Sequence, residues 1–310
     1  MLHQVLVSEV GLRDGLQSVQ RVMPLQAKKD WIAAEATAGV REIEVGSFVP
    51  ETLLPQMADT PALVEFARAL PGLAVAVLVP NLKGAERAIA AGAGKLSIPL
   101  SVSETHSLKN VRKSHEAMIR EIAAIAARIA EEPADQRPHF EVGLSTAFGC
   151  TIEGSVSEDR VVRLAEQAIA AGAAEVCLSD TAGYANPRQV KRLVRRVKAA
   201  VGAGRLNALH LHNTRGLGLA NALSGLEEGI DTLDSSLGGL GGCPYAPGAS
   251  GNIVTEDLVF MLAAMGVDTG IDIEKLLRVR ALIETALPGE PLYGFTPAAG
   301  LPLGFKGRDA

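Results

Sequence analysis

Residues 168–180 read Ala-Ile-Ala-Ala-Gly-Ala-Ala-Glu-Val-Cys-Leu-Ser-Asp. An Ala-rich helical segment stops at Gly172, and within three residues an apolar run begins that ends in polar Ser179 and Asp180. A glycine just past a helix supplies the left-handed residue that closes it, and the short run that follows reads as a buried strand. The same junction recurs at Gly39 before Val40–Val45, at Gly92 before Lys95–Leu100 and at Gly229 before Ile230–Leu233. Four copies argue for a repeated βα unit.

Working outward from these junctions gives eight strands, near Val5–Val10, Glu42–Ser47, Leu73–Val79, Lys95–Leu100, His139–Ser145, Glu175–Ser179, Ala208–His212 and Thr232–Ser236. Helical segments such as Ala27–Ala38, Glu116–Glu131, Asp159–Ala171, Pro187–Val201 and Leu217–Glu228 lie between them. Alternating units of this kind imply a parallel sheet covered by helices, and eight of them match a (β/α)8 TIM barrel. A doubly wound sheet is the weaker alternative, because no Gly-x-Gly-x-x-Gly follows the first strand. Residues 1–287 are expected to form the barrel plus an added C-terminal helix over Ile271–Leu287, and residues 288–310 an irregular arm. With only 4% aromatic residues, the barrel layers are expected to be filled by branched aliphatics.

Composition narrows the class. Of 310 residues 47% are hydrophobic, which is too apolar for a disordered chain. Three cysteines cannot build a disulfide framework, so reduced thiols and a cytoplasmic setting are expected. Uninterrupted apolar stretches such as Leu73–Val79 are far short of a membrane span, and Met1-Leu-His-Gln4 has no signal-peptide character. A net charge of −5 without basic runs speaks against nucleic acid as a partner.

Chemistry in a TIM barrel collects at the C-terminal ends of the strands. Strand one runs into Gly11-Leu-Arg-Asp-Gly-Leu-Gln17, strand two carries Glu42 and Glu44, and strand six ends in Ser179-Asp-Thr181. Strand seven ends in His210-Leu-His-Asn-Thr-Arg215, and strand eight leads into a glycine- and proline-rich segment, Gly238 to Gly251. These polar residues are expected at one common end.

His210 and His212 are two apart on a strand, so both imidazoles face the barrel mouth. With Asp14 from the neighbouring end of strand one they make a nitrogen-and-oxygen set for a divalent cation. Mg²⁺ or Mn²⁺ suits it, and Zn²⁺ or Co²⁺ could also bind. Arg13 would place a fixed positive charge beside a developing oxyanion, although neighbours on an extended segment diverge, so an Arg13–Asp14 ion pair is not assured. Glu44 and Asp180 read equally well as structural or as functional carboxylates. Cys243, between Gly242 and Pro244, differs from Cys150 and Cys177, which read as inert core thiols. Above a cationic site its thiolate would be favoured and could exchange protons.

The chain resembles the 3-hydroxy-3-methylglutaryl-CoA lyase family of metal-dependent barrels. Arg13-Asp-Gly-Leu-Gln17, His210-x-His212, Gly239-Leu-Gly-Gly-Cys-Pro-Tyr-Ala246, Gly248-Ala-Ser-Gly-Asn252 and Thr255-Glu-Asp-Leu258 carry the resemblance, over residues 5 to 287. It implies that Asp14, His210, His212 and Asn252 hold one divalent cation per subunit, that Arg13 steadies an enolate oxygen, and that Cys243 is the acid/base. It ties Glu44, Asp180 and Glu256 to activity and implies an acyl-CoA thioester substrate, no membrane partner and a homo-oligomer, dimer or tetramer. The implied reaction is a retro-Claisen cleavage to acetyl-CoA and a 3-oxo acid, with His210 counted in the catalytic set and Gln17 supporting it. Two departures stand out: Asn213 follows the second histidine where related lyases usually carry Asp, and Thr151-Ile152-Glu153 stands where Pro-Tyr-Glu is usual. The loop after strand five that contains Thr151–Glu153 could line the acyl pocket and favour a 3-hydroxy-3-alkylglutaryl or citramalyl thioester. A condensing transferase of the isopropylmalate, homocitrate or citramalate synthase type shares the first motifs but not Cys-Pro-Tyr. A non-catalytic acyl-CoA-binding barrel is the other alternative.

Overall fold

In the computed structural model, residues 4–241 and 251–305 are described. Eight strands, β1 (Leu6–Glu9), β2 (Glu42–Ser47), β3 (Ala74–Leu78), β4 (Lys95–Ser101), β5 (His139–Ser145), β6 (Glu175–Asp180), β7 (Leu206–Leu211) and β8 (Thr232–Ser235), form one closed parallel barrel. The seam is sealed by β8 against β1, with Leu6 opposite Thr232 and Glu9 opposite Ser235. All eight expected strands are present, with ends shifted by no more than two residues.

The helices are α1 (Leu25–Ala38), α2 (Thr60–Ala67), α3 (Leu82–Ala91), α4 (Glu104–Asn110), α5 (His115–Ala130), α6 (Glu158–Ala170), α7 (Pro187–Val201), α8 (Gly218–Leu226), α9 (Thr255–Ala264), α10 (Ile273–Ala286) and α11 (Phe295–Ala299). Local chemistry marks their ends. Gly39 (φ 100°) and Gly92 (φ 81°) are left-handed and close α1 and α3, as the repeated junction requires. Asn81, Ser103, Ser114, Asn186 and Asp272 cap α3, α4, α5, α7 and α10 through side-chain oxygens. The added helix α10 packs on α1, and Asp272 N–H donates to Ala38 O at 2.7 Å. Beyond it Tyr293 N–H donates to Gly238 O at 2.7 Å, while Phe295 and Thr296 N–H groups donate to Asp257. Among the described residues no helix is long and apolar enough to cross a membrane.

One expectation is overturned. Branched aliphatics do not fill the barrel. Val7, Ile43, Val75, Val77, Leu96, Ile98, Val142, Leu144, Val176, Leu178, Leu209 and Leu233 are buried in the core, at the alternate positions from the lumen-facing residues. Their neighbours at period two, including Ser8, Glu42, Glu44, Lys95, Ser97, Glu141, Cys177, Ser179, His210 and Asp234, line a cavity of about 1110 Å³ that runs from the mouth into the lumen. Apart from β3, which turns Ala76 and Leu78 inward, the strands therefore alternate polar-in and apolar-out, and the hydrophobic core is the layer between barrel and helices.

Glu42 also needs correction. It opens β2 and lies deep in the lumen, paired with Lys95 at 3.2 Å, rather than at the mouth. Lys95 also meets Glu141 at 3.1 Å, so one cation on β4 bridges glutamates on β2 and β5. Burial pushes Glu141 up to about 7, against the pull of Lys95 and with Asp234 and Glu175 adding to the rise.

Candidate active site at the barrel mouth

Directly after β1 the chain makes a π-helical turn, Gly11–Gly15, whose wide pitch is common at functional sites. This turn changes the relation of Arg13 and Asp14. The segment is coiled rather than extended, so Arg13 Nη1 meets Asp14 Oδ1 at 2.6 Å while its Nε meets Glu44 Oε2 at 2.5 Å. The other Glu44 oxygen accepts from Ser97 Oγ at 2.9 Å. Burial opposes the charge on Arg13, but Glu44 and Asp14 more than offset it and raise its pKa. Burial raises Glu44 against the pull of the same arginine.

Asp14 joins the histidines. Its Oδ1 accepts from Arg13 and from Gln17 Nε2, the latter at 2.7 Å. Its Oδ2 accepts from Asn252 Nδ2 at 2.7 Å and faces His212 Nε2 at 3.6 Å and His210 Nε2 at 3.9 Å. Burial works to raise Asp14, yet Arg13 and the two histidines hold it well below the usual carboxylate range. Asp234 accepts from His210 Nδ1 at 3.0 Å; burial lowers His210, and Asp234 with Asp14 raises it overall. Asp234 was missed at the sequence level, although a lone acid at an inward position of an apolar strand was a usable signal.

Asp14, His210 and His212 form a group that can hold a metal ion, with one ligand atom from each lying within 4.8 Å of the others. The two Nε2 atoms are 3.1 Å apart, close to the separation of about 3 Å that adjacent ligands adopt around an octahedral cation at ~2.1 Å. Asn252 pairs with His212 as an isolated bridge, and its Oδ1 is buried with no hydrogen-bond partner among the described residues. A buried acceptor of this kind costs stability unless something fills it, and it suits a cation. Gly241 (φ 105°) allows the close approach here: a Cβ would lie 2.6 Å from Asn252 Nδ2 and 2.9 Å from Asp14 Oδ2.

The remaining site residues of the sequence reading lie behind the cavity. Asp180 accepts from the N–H groups of Tyr184 (2.8 Å) and Ala185 (3.0 Å), holding the loop after β6. Burial raises it against those two donors. Glu256, wholly buried, accepts from Gly238 N–H at 3.0 Å and pairs with Arg280 at 3.1 Å. Asn213 Oδ1 accepts from Gly218 N–H at 2.9 Å and so caps the start of α8. The Thr151–Glu153 segment does not line the cavity, contrary to the expectation. Glu153 turns to Thr105 N–H (3.1 Å) and Arg160 (2.9 Å) on the outer side. Cys243 lies outside the described residues.

The cavity mouth also carries Lys109, Arg112 and Lys113, the last paired with Glu121. A cationic rim above a metal-competent group suits a large anionic substrate.

Residues 4–283 match the HMGL-like family model. The mitochondrial hydroxymethylglutaryl-CoA lyase of Gallus gallus is 40% identical over 286 residues, 92% of this chain and 94% of that protein. The cytoplasmic 3-hydroxy-3-methylglutaryl-CoA lyase of Rattus norvegicus is 38% identical over 273 residues, 88% of this chain and 78% of its own. A solved structure of an HMG-CoA lyase from Acinetobacter baumannii, in complex with coenzyme A and 3-methylmalate, superposes with a TM-score of 0.89. It is 39% identical, and the match covers 96% of this chain and 95% of that one.

Proposed function

The chain belongs to the HMGL-like family, and on that premise we propose that it cleaves 3-hydroxy-3-methylglutaryl-CoA to acetyl-CoA and acetoacetate. One observation carries the reading to individual residues: the Arg13 guanidinium stands 2.6 Å from Asp14, beside the group that can hold a cation. Asp14, His210, His212 and Asn252 would hold Mg²⁺ or Mn²⁺, since two imidazoles with a carboxylate and an amide oxygen suit a hard to borderline divalent ion. A divalent cation bound there supplies the positive charge that makes a tertiary hydroxyl more acidic.

Arg13 then has a defined task. Breaking the C2–C3 bond puts negative charge on the thioester oxygen, and a guanidinium already fixed by Glu44 and Asp14 receives it without rearranging. Asp234 holds the proton on His210 Nδ1 and so leaves Nε2 free to act as a ligand. Cys243 is assigned as acid/base: its thiolate would take the proton of the tertiary hydroxyl as the C2–C3 bond breaks, and the thiol would return it to the enolate carbon. Glu44 orients Arg13, Gln17 orients Asp14, and Asp180 and Glu256 brace the two loops behind them. The rim at Lys109, Arg112 and Lys113 offers charge to the phosphates of CoA.

Residues 1–287 serve as the catalytic unit and 288–310 as a C-terminal arm, of which Glu290, Pro291 and Tyr293 line the cavity and Phe295–Ala299 form α11 rather than irregular chain. A homo-oligomer, dimer or tetramer, in the cytoplasm completes the proposal, and the free thiols of Cys150 and Cys177 suit a reducing compartment. The test is to incubate the protein with Mg²⁺ and 3-hydroxy-3-methylglutaryl-CoA, another 3-hydroxy-3-alkylglutaryl-CoA or citramalyl-CoA and identify products by mass. Acetyl-CoA and a 3-oxo acid are expected from the first. No acetyl-CoA from any of them refutes the lyase reading, and thiol release from acetyl-CoA with a 2-oxo acid would replace it with the condensing reaction.

A further inference from the structure

Behind the active-site turn lies a second set of acids that the mechanism does not use. Glu9, the last residue of β1, is fully buried. Its Oε1 accepts from Gly11 N–H at 2.8 Å and from Leu237 N–H at 3.0 Å, and its Oε2 accepts from Thr255 Oγ1 at 2.6 Å. Ser235 Oγ is 2.8 Å from the same threonine oxygen. Gly11 opens the turn that carries Arg13 and Asp14, and Leu237 leads from β8 toward Gly241 and Asn252. One carboxylate oxygen thus joins the two segments that assemble the site.

Glu35, on α1, shares this dry space. Both of its oxygens are buried without a hydrogen-bond partner among the described residues. The Trp31 indole N–H lies against it and draws it down, but outside hydrogen-bonding geometry. Burial first, then Glu9, pushes Glu35 well above the ordinary carboxyl range, while burial raises Glu9 against the opposing pull of its three donors. The groups facing the pair are Trp31 from α1, Gly11 N–H from the turn, and Leu237 N–H with Ser235 from the end of β8. Thr255 and Glu256 face it from α9, and Arg280 on α10 stands beyond Glu256.

We propose that Glu9 is a positioning residue that locks the Arg13–Asp14 turn to the segment after β8, and that Glu35 holds the proton which lets Glu9 accept from both. Two acids enclosed together without a cation between them do not both ionise. Three donors converge on Glu9, so the charge belongs there and the proton on Glu35. A Cβ at Gly11 would lie 2.6 Å from Glu9 Oε1 and 2.8 Å from Trp31, so the contact admits no slack.

The kinetic half of the test rests on the proposed lyase reaction. Glu9→Ala should lower kcat by ~10²-fold with KM changed less than about threefold, the scale expected when reacting groups shift by an ångström. Glu9→Gln keeps an acceptor oxygen for both N–H groups and should restore kcat to within about threefold of the parent. Near-parental kcat in the alanine variant, or an equal loss in both variants, overturns the locking role. The proton-holding half needs no substrate. Trp31 is the single tryptophan of the chain, so its emission in the Mg²⁺-supplied protein reports on this pocket. The emission should show a step on the alkaline side of the ordinary carboxyl range in the parent and lose that step in Glu35→Gln. A flat parent profile, or the same step in Glu35→Gln, overturns it, and either result is independent of whether the reaction is the one proposed.

Discussion

Lys95→Met would leave Glu42 and Glu141 facing each other across the barrel lumen without the ammonium that lies 3.2 and 3.1 Å from them. At an effective dielectric of about 20, each contact at that distance is worth roughly 5 kcal/mol. The full amount is not lost, because a stranded carboxyl can take up a proton instead. That escape costs about 1.4 kcal/mol for each pH unit above the ordinary carboxyl value, hence about 5 kcal/mol at pH 8 and about 1.4 kcal/mol at pH 5.5. The pH sign follows from Glu141. Its native value is raised from 4.5 to about 7, so its contribution is fully present below 4.5 and lost as pH rises through 7. Removing Lys95 raises Glu141 further and extends that loss to higher pH. Urea unfolding followed by circular dichroism should therefore show the variant less stable by ~3–5 kcal/mol at pH 8 and by ~1–2 kcal/mol at pH 5.5. The same deficit at both pH values, or less than about 1 kcal/mol at pH 8, would refute the bridging role of Lys95.

Arg13→Ala should lower kcat by ~10²–10³-fold while Mn²⁺ affinity, measured by titration, stays within about tenfold; unchanged turnover sinks the oxyanion role. Asp234→Asn allows an amide N–H to face His210 Nδ1 and moves the imidazole proton toward Nε2. Divalent-ion affinity should fall about 10–100-fold, and calorimetry showing parental affinity would remove Asp234 from the site.

Much of the architecture was legible because local rules govern it. The left-handed glycines at 39, 92, 172 and 229 stop helices wherever they occur, and the apolar runs after them can be buried in one way. His210 and His212 were legible as a pair because residues two apart on a strand share a face. Less legible was which face of each strand looks inward. Ser8, Glu42, Lys95, Glu141 and Asp234 alternate with aliphatics, but the alternation becomes a polar lumen only when the barrel closes. An extended backbone would make Arg13 and Asp14 diverge, and the π-helical turn that brings them together depends on Val10 O receiving the Arg13, Asp14 and Gly15 N–H groups.

Sequence alone determined the unit that repeats, the count of eight strands, and the residue types at the strand ends, since each depends on spacing along a few turns of chain. Tertiary structure decided which of those residues act together. Asp14 and Asn252 are separated by 238 positions, as Glu9 and Leu237 are by 228, and they meet because closure puts β8 beside β1. Burial then assigns their charges: Asp14 is held ionised by Arg13 and the histidines, while Glu35 finds no such partner and keeps its proton. Identical carboxyl groups acquire opposite states because solvation and neighbouring charge, rather than residue type, set the cost of ionisation in a dry interior.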